Sequence, residues 1–126
     1  MSVIVEDHPV AEHDRRVVRV VTIDRPEVRN AVDGPTAQLL YDVFVDLDGD
    51  EDVRVAVLTG AGGTFCSGAD LGAISDGRGN RVDELDGDDI VGSLGPMGPT
   101  RLLLDTPVIA AVSARRLSSS VSPPGE

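Results

Sequence analysis

No lysine occurs among the 126 residues, and all 11 basic side chains are arginine. That removes a P-loop lysine and Schiff-base chemistry together. Aromatic residues are nearly as scarce: Tyr41, Phe44 and Phe65, with no tryptophan. A core must therefore come from Val, Leu, Ile and Ala. The one cysteine, Cys66, cannot close an internal disulfide, which fits a reducing, cytoplasmic setting. No apolar run approaches the roughly 18 residues of a membrane span. The acidic start MSVIVEDHPV lacks the basic opening of a signal peptide. Positive charge is the minority sign: 22 acidic side chains give a net charge of −11. Such a field opposes nucleic acid or an anionic membrane as a bulk partner.

What is present suits one α/β domain. The apolar content is 40%, and a chain of this length buries roughly two thirds of its unfolded surface. Ser2 to Glu6 alternates weakly and predicts a short strand, with a polar loop from Asp7 to Arg16. The β-branched run Val17 to Ile23 predicts a buried strand, stopped by Arg25–Pro26. Asp33–Gly34–Pro35 marks a helix start. Leu39, Leu40, Val43, Phe44 and Leu47 then follow along one helical face, ending near Asp48. Val53 to Thr59 is a second strand, and strand–helix–strand implies a parallel pair. A glycine-rich loop, Gly60 to Asp70, follows at the carboxyl end, where α/β folds gather ligands. Asp70 caps a short helix through Leu71, Ala73 and Ile74. Residues 75–89 are acidic and glycine-rich and predict a mobile loop. Residues 90–104 predict a broken helix, and Val108 to Val112 a third buried strand.

Most motifs fail on inspection. The glycines Gly60, Gly62 and Gly63 lack the third glycine of a dinucleotide loop. Asp46 to Glu51 resembles a calcium loop, but its glycine position holds Glu51 and its bidentate position Val57. His8 and His13 sit in a loop without further ligands at fixed spacing, so no metal site is expected. Cys66 has no neighbouring base and reads as a small, semi-buried thiol. Asp70 reads as a helix cap.

Three segments combine where single motifs do not. IDRPEVRNAV (Ile23 to Val32), VRVAVLTGAGGTFCSGADL (Val53 to Leu71) and TPVIAAVS (Thr106 to Ser113) occur in this order. Together they resemble the N-terminal half of the enoyl-CoA hydratase/isomerase family, the crotonase superfamily, best over residues 16–113. The resemblance implies a partial, truncated fold of ββα repeats over residues 1–113. It also implies an acyl-CoA thioester as ligand and a place in fatty acid metabolism, as a lyase or isomerase. No cofactor is implied, because CoA is part of the substrate. The family's full-length members assemble as homotrimers or dimers of trimers.

By the same resemblance the backbone N–H of Ala69 is the first oxyanion donor, where enolate charge develops. Gly68, Ala69, Asp70, Leu71 and Gly72 line the thioester pocket, and Val28, Asn30 and Ala31 the CoA groove. Arg25 and Arg29 are candidates for the CoA phosphates. After Ser113 the family continues with a glycine-rich turn and a helix that carry the second donor and the acid–base groups. Residues 114–126, ARRLSSSVSPPGE, lack that pattern and predict a disordered tail outside the family. Three readings follow: a family member weakly active or inactive alone, a non-catalytic CoA-binding module, or a fragment without function. An uncovered last strand further predicts association or aggregation.

Overall fold

The computed structural model describes residues 2–79, 95 and 97–112. Within them run β1 (Val3–Pro9), β2 (Val17–Ile23), a 3-10 turn (Pro26–Val28) and α1 (Gly34–Asp48). Then follow β3 (Val53–Gly60), a second 3-10 turn (Ala61–Gly63), α2 (Leu71–Ser75) and β4 (Val108–Ala110). The strands form one sheet in the order β1-β2-β3-β4. β1 is antiparallel to β2, while β3 and β4 continue the sheet in parallel. The chain is thus α/β, with α1 as the connection between the parallel strands β2 and β3.

The helix forms where its start signal stands. The Asp33 carboxylate accepts the Thr36 N–H at 2.9 Å, satisfying one orphan donor of the first turn. Pro35 occupies a first-turn position where its missing N–H costs nothing. Ala37, Leu40, Phe44 and Leu47 lie three or four residues apart, so they share a face. They are buried with Val21, Ile23, Val53 and Ala56 from the sheet. Each large side chain so buried contributes about 1.5–3 kcal/mol. Asp48, at the helix end, accepts the N–H groups of Asp105 and Thr106 at 2.9 and 3.0 Å. The lead-in to β4 is anchored there.

Three expectations change. The first strand runs on to Pro9, through residues read from sequence as loop. Asp7 stands directly opposite Arg19 in the ladder, and their side chains meet at 2.8 and 3.0 Å. A polar strand is stable there because β1 is an edge strand, which also tolerates proline. The broken helix is not seen in residues 97–104, which form turns or irregular chain. Met97 and Gly98 have φ of 64° and 105°, outside the helical range. A Cβ on Gly98 would lie 2.2 Å from the Ala37 carbonyl, so only glycine crosses α1 this closely. The third change concerns β4, expected to be buried: Val108 and Ile109 are 41% and 56% exposed. Among the described residues β4 is the last strand of the sheet and pairs with β3 alone.

The mobile-loop prediction falls mostly on residues 80–89, outside the described residues, as do 90–94 and the tail 114–126. No described helix is long and apolar enough to cross a membrane. An apolar groove of about 420 Å³ lies between α1 and the β3–β4 edge, lined by Phe44, Leu58, Leu102, Leu104 and Val108 among others. It includes no residue of the glycine-rich loop.

Candidate functional site

Two loops leave the carboxyl ends of the neighbouring strands β2 and β3, and they are clasped together. The first carries Arg29 and Asn30, both left-handed at φ 54° and 56°. That kink turns the Asn30 side chain inward, where it is 0% exposed. Its oxygen accepts the Arg25 N–H at 2.7 Å. Its amide donates to the carbonyls of Ala61 and Thr64 at 2.7 and 2.6 Å. One side chain therefore satisfies polar groups of both loops. Further along, the Ser67 N–H donates to the Arg29 carbonyl at 3.1 Å.

The clasp ends in a short parallel bridge between Val32 and Ala69. The Val32 N–H donates to the Gly68 carbonyl at 2.8 Å, and the Asp70 N–H to the Val32 carbonyl at 2.9 Å. In such a ladder the flanking residues bond inward and the central one turns its own N–H to the other side. Ala69 is that central residue. It is exposed, and among the described residues its N–H meets no acceptor. Gly68 has φ of 110°, with open space where a Cβ would stand. This is a glycine-only backbone beside a donor on an exposed residue.

Asp70 closes the loop as the sequence predicted, accepting the Ala73 N–H at 3.0 Å as the cap of α2. Its other oxygen meets the Arg25 guanidinium at 3.1 Å. Arg25 also meets Asp33 at 3.4 Å and donates to the Ala31 carbonyl. Its side chain is only 14% exposed. This corrects the expectation that Arg25 faces CoA phosphates, because both terminal nitrogens of its guanidinium bond within the protein. Arg29 is exposed, and no side-chain partner meets it among the described residues. The two cap carboxylates, Asp33 and Asp70, share this one cation, a tertiary pairing that no sequence pattern announced.

The other expected groove residues scatter. Val28 is exposed and Ala31 buried, while Leu71 is 78% exposed. Gly72 is exposed next to it. Asn30 braces the loops and presents no amide to solvent. Cys66 is half-buried, and its sulfur accepts the Gly68 N–H at 3.4 Å. Among the described residues, His8 approaches Glu6 on its own strand at 3.7 Å, and His13 approaches its chain neighbour Glu12 at 3.6 Å. Asp46 and Asp50, from the discarded calcium motif, pair with Arg19 at 3.6 and 3.2 Å.

The carboxylates titrate low. Burial pushes Asp33 up, but hydrogen bonds from Thr36 and the Arg25 charge outweigh it, leaving Asp33 below its usual range. Asp70 is held down by the Ala73 N–H, against burial, with help from Arg25. In the β1–β2 turn, hydrogen bonds from Arg16 lower Asp14 to about 2. A depressed carboxylate binds protons more weakly folded than unfolded, so its stabilisation is present above the unfolded pKa. Stability is expected to hold above about pH 4 and to fall as the pH drops through the lowered folded values. Urea midpoints measured from neutral pH down to strong acid check this, and a midpoint rising on acidification contradicts it.

Comparisons with known proteins bear on the family and the fold. The family profile described as Enoyl-CoA hydratase/isomerase matches residues 13–115. Enoyl-CoA hydratase EchA19 of Mycobacterium tuberculosis is 38% identical over 114 residues, 86% of this chain and 40% of that protein. Carnitinyl-CoA dehydratase of Proteus mirabilis is 38% identical over 79% of this chain and 36% of its own length. Among solved structures, carnitinyl-CoA hydratase from Mycobacterium avium superposes with a TM-score of 0.66 at 35% identity. That match covers 88% of this chain and 38% of the other. The chain thus spans about two fifths of the length of these relatives. With the profile matched across most of its sequence and the fold shared, the chain belongs to the enoyl-CoA hydratase/isomerase family.

Proposed function

We propose that this chain binds acyl-CoA thioesters and receives the thioester oxygen on the Ala69 N–H. The observation that carries this reading is the amide of Ala69, an exposed residue, without an acceptor among the described residues and flanked by the bonds of the Val32 bridge. A donor held in place before the reaction needs little reorganisation when charge develops beside it. Leu71, two residues from the amide, and Val28, on the loop clasped to it, are both exposed and offer apolar surface for the pantetheine or acyl chain. Arg29 is the basic side chain available to a CoA phosphate on the same loop as Val28.

Turnover by the chain alone is expected to be weak or absent. Hydration needs a group to move a proton, and the titratable side chain next to Ala69 is Asp70. That carboxylate is held low by its cap bond and by Arg25, which makes it a feeble base. The remaining three fifths of the relatives' length has no counterpart in the matched region. The alternative readings, a binding module without catalysis or a fragment without function, separate by experiment. Calorimetry with a saturated acyl-CoA is expected to give binding heat. Crotonyl-CoA hydration, followed by loss of the enoyl absorbance, is expected to stay near background. Binding without turnover supports the proposal, absence of heat at millimolar ligand defeats it, and brisk hydration overturns the expectation of weak activity.

A further inference from the structure

We propose that Arg25 is a positioning residue for the oxyanion amide, holding the Gly68–Ala69 peptide in place by bridging the caps of α1 and α2. The inference rests on the reading of Ala69 as the donor. Among the described residues, the Val32 bridge fixes the chain on either side of Ala69 through two backbone bonds, one to the Gly68 carbonyl and one from the Asp70 N–H. The residue after it, Asp70, is fixed from the side by the Arg25 guanidinium at 3.1 Å. The same guanidinium reaches Asp33 at 3.4 Å and the Ala31 carbonyl. Residues 31 and 33, which flank Val32, are thereby tied to residue 70, which flanks Ala69. Both sides of the bridge share one clamp.

The chemistry of the clamp is specific. Asp33 and Asp70 lie close enough for the Asp70 charge to act on Asp33. Without a cation between them their repulsion pushes the two loops apart. Arg78 is another nearby cation, but it is 56% exposed and hydrogen-bonded to Asp76 at 3.0 Å. A planar guanidinium can serve three acceptors in separate directions, whereas an ammonium is a compact point charge. The 14% exposure of Arg25 leaves these interactions little screened by water.

The test uses the full 126-residue chain labelled with nitrogen-15, as wild type, Arg25→Met, Arg25→Lys and Asp70→Asn. Two signals are read: the Ala69 amide resonance without ligand, and the carbonyl resonance of carbonyl-carbon-13 acetyl-CoA when bound. In wild type the carbonyl signal is expected to move downfield as its oxygen accepts the hydrogen bond. Arg25→Met is expected to displace the Ala69 resonance and lose most of the carbonyl shift, while β1–β3 resonances stay in place. Arg25→Lys is expected to restore part of both signals. A merely stabilising arginine would lower the unfolding midpoint and leave both signals of the folded protein alone. Unchanged Ala69 and carbonyl signals in Arg25→Met overturn the proposal. If Arg25→Met does not fold, Asp70→Asn decides by the same outcomes, because asparagine caps a helix as well as aspartate does. A wild-type carbonyl signal that never moves defeats the functional reading, while the ligand-free Ala69 resonance still decides the role of Arg25.

Discussion

Asn30→Ala is expected to destabilise the fold by about 4 kcal/mol, more than the usual cost of one lost buried contact. The side chain is 0% exposed and makes hydrogen bonds to Arg25, Ala61 and Thr64. Truncation orphans one N–H and two carbonyls at once, and each costs roughly 1–3 kcal/mol where water cannot reach it. The backbone adds to the loss, because φ at this position is 56°. Asparagine tolerates the left-handed region, whereas alanine pays about 1 kcal/mol there. Asn30→Gly removes that strain while losing the same bonds, so it is expected to be the milder of the two. Asn30→Asp keeps the acceptor for Arg25 but sets a carboxylate against the carbonyls of Ala61 and Thr64. It is expected to be at least as damaging near neutral pH and partly relieved in acid. Urea unfolding measures all three, and a loss below about 1 kcal/mol for Asn30→Ala shows that the clasp does not depend on this side chain.

The central strands and α1 were legible because their patterns are local and strong. The β-branched runs of β2 and β3 and the spacing of Leu40, Phe44 and Leu47 leave little choice of period. The cap at Asp33 announced the start of α1, and Asp70 announced that of α2. What sequence misread depended on partners far along the chain. Asp7 looked like loop because its polarity is explained only by Arg19, twelve residues away. Val108 and Ile109 looked buried because hydropathy reports what a strand prefers, and the position of β4 in the sheet decides what it gets. Residues 97–104 were misread because glycine and proline were taken as interruptions of a helix, when Met97 and Gly98 set a turn against α1. At the site, the motif FCSGADL pointed to Ala69, but nothing local revealed that Asn30 and Arg25 face inward. Their roles follow from tertiary geometry: one answers two carbonyls of the other loop, and the other answers two helix-cap carboxylates.

Ala69→Pro separates the proposed donor from the structure that carries it. Proline deletes the N–H and nothing else in the hydrogen-bond pattern, since that N–H has no acceptor among the described residues. The Val32 bridge survives because it uses the Gly68 carbonyl and the Asp70 N–H. The residue before a proline is sterically restricted, but here it is Gly68, which has room for adjustment. The stability change is therefore expected to stay within about 1 kcal/mol. The chemical effect is expected to be much larger. An oxyanion donor stabilises the enolate formed when a proton leaves the carbon beside the thioester, whatever base removes it. Exchange of those protons in butyryl-CoA against heavy water, with buffer as the base, reads this step without requiring hydration. Loss of one donor lowers such a rate by about 10²–10³, so Ala69→Pro is expected to return exchange toward the buffer background. Ala69→Gly keeps the N–H and is expected to retain most of the wild-type rate. Equal exchange by wild type and Ala69→Pro would assign the amide no part in the chemistry, because removal of a donor that meets the forming charge must raise the barrier.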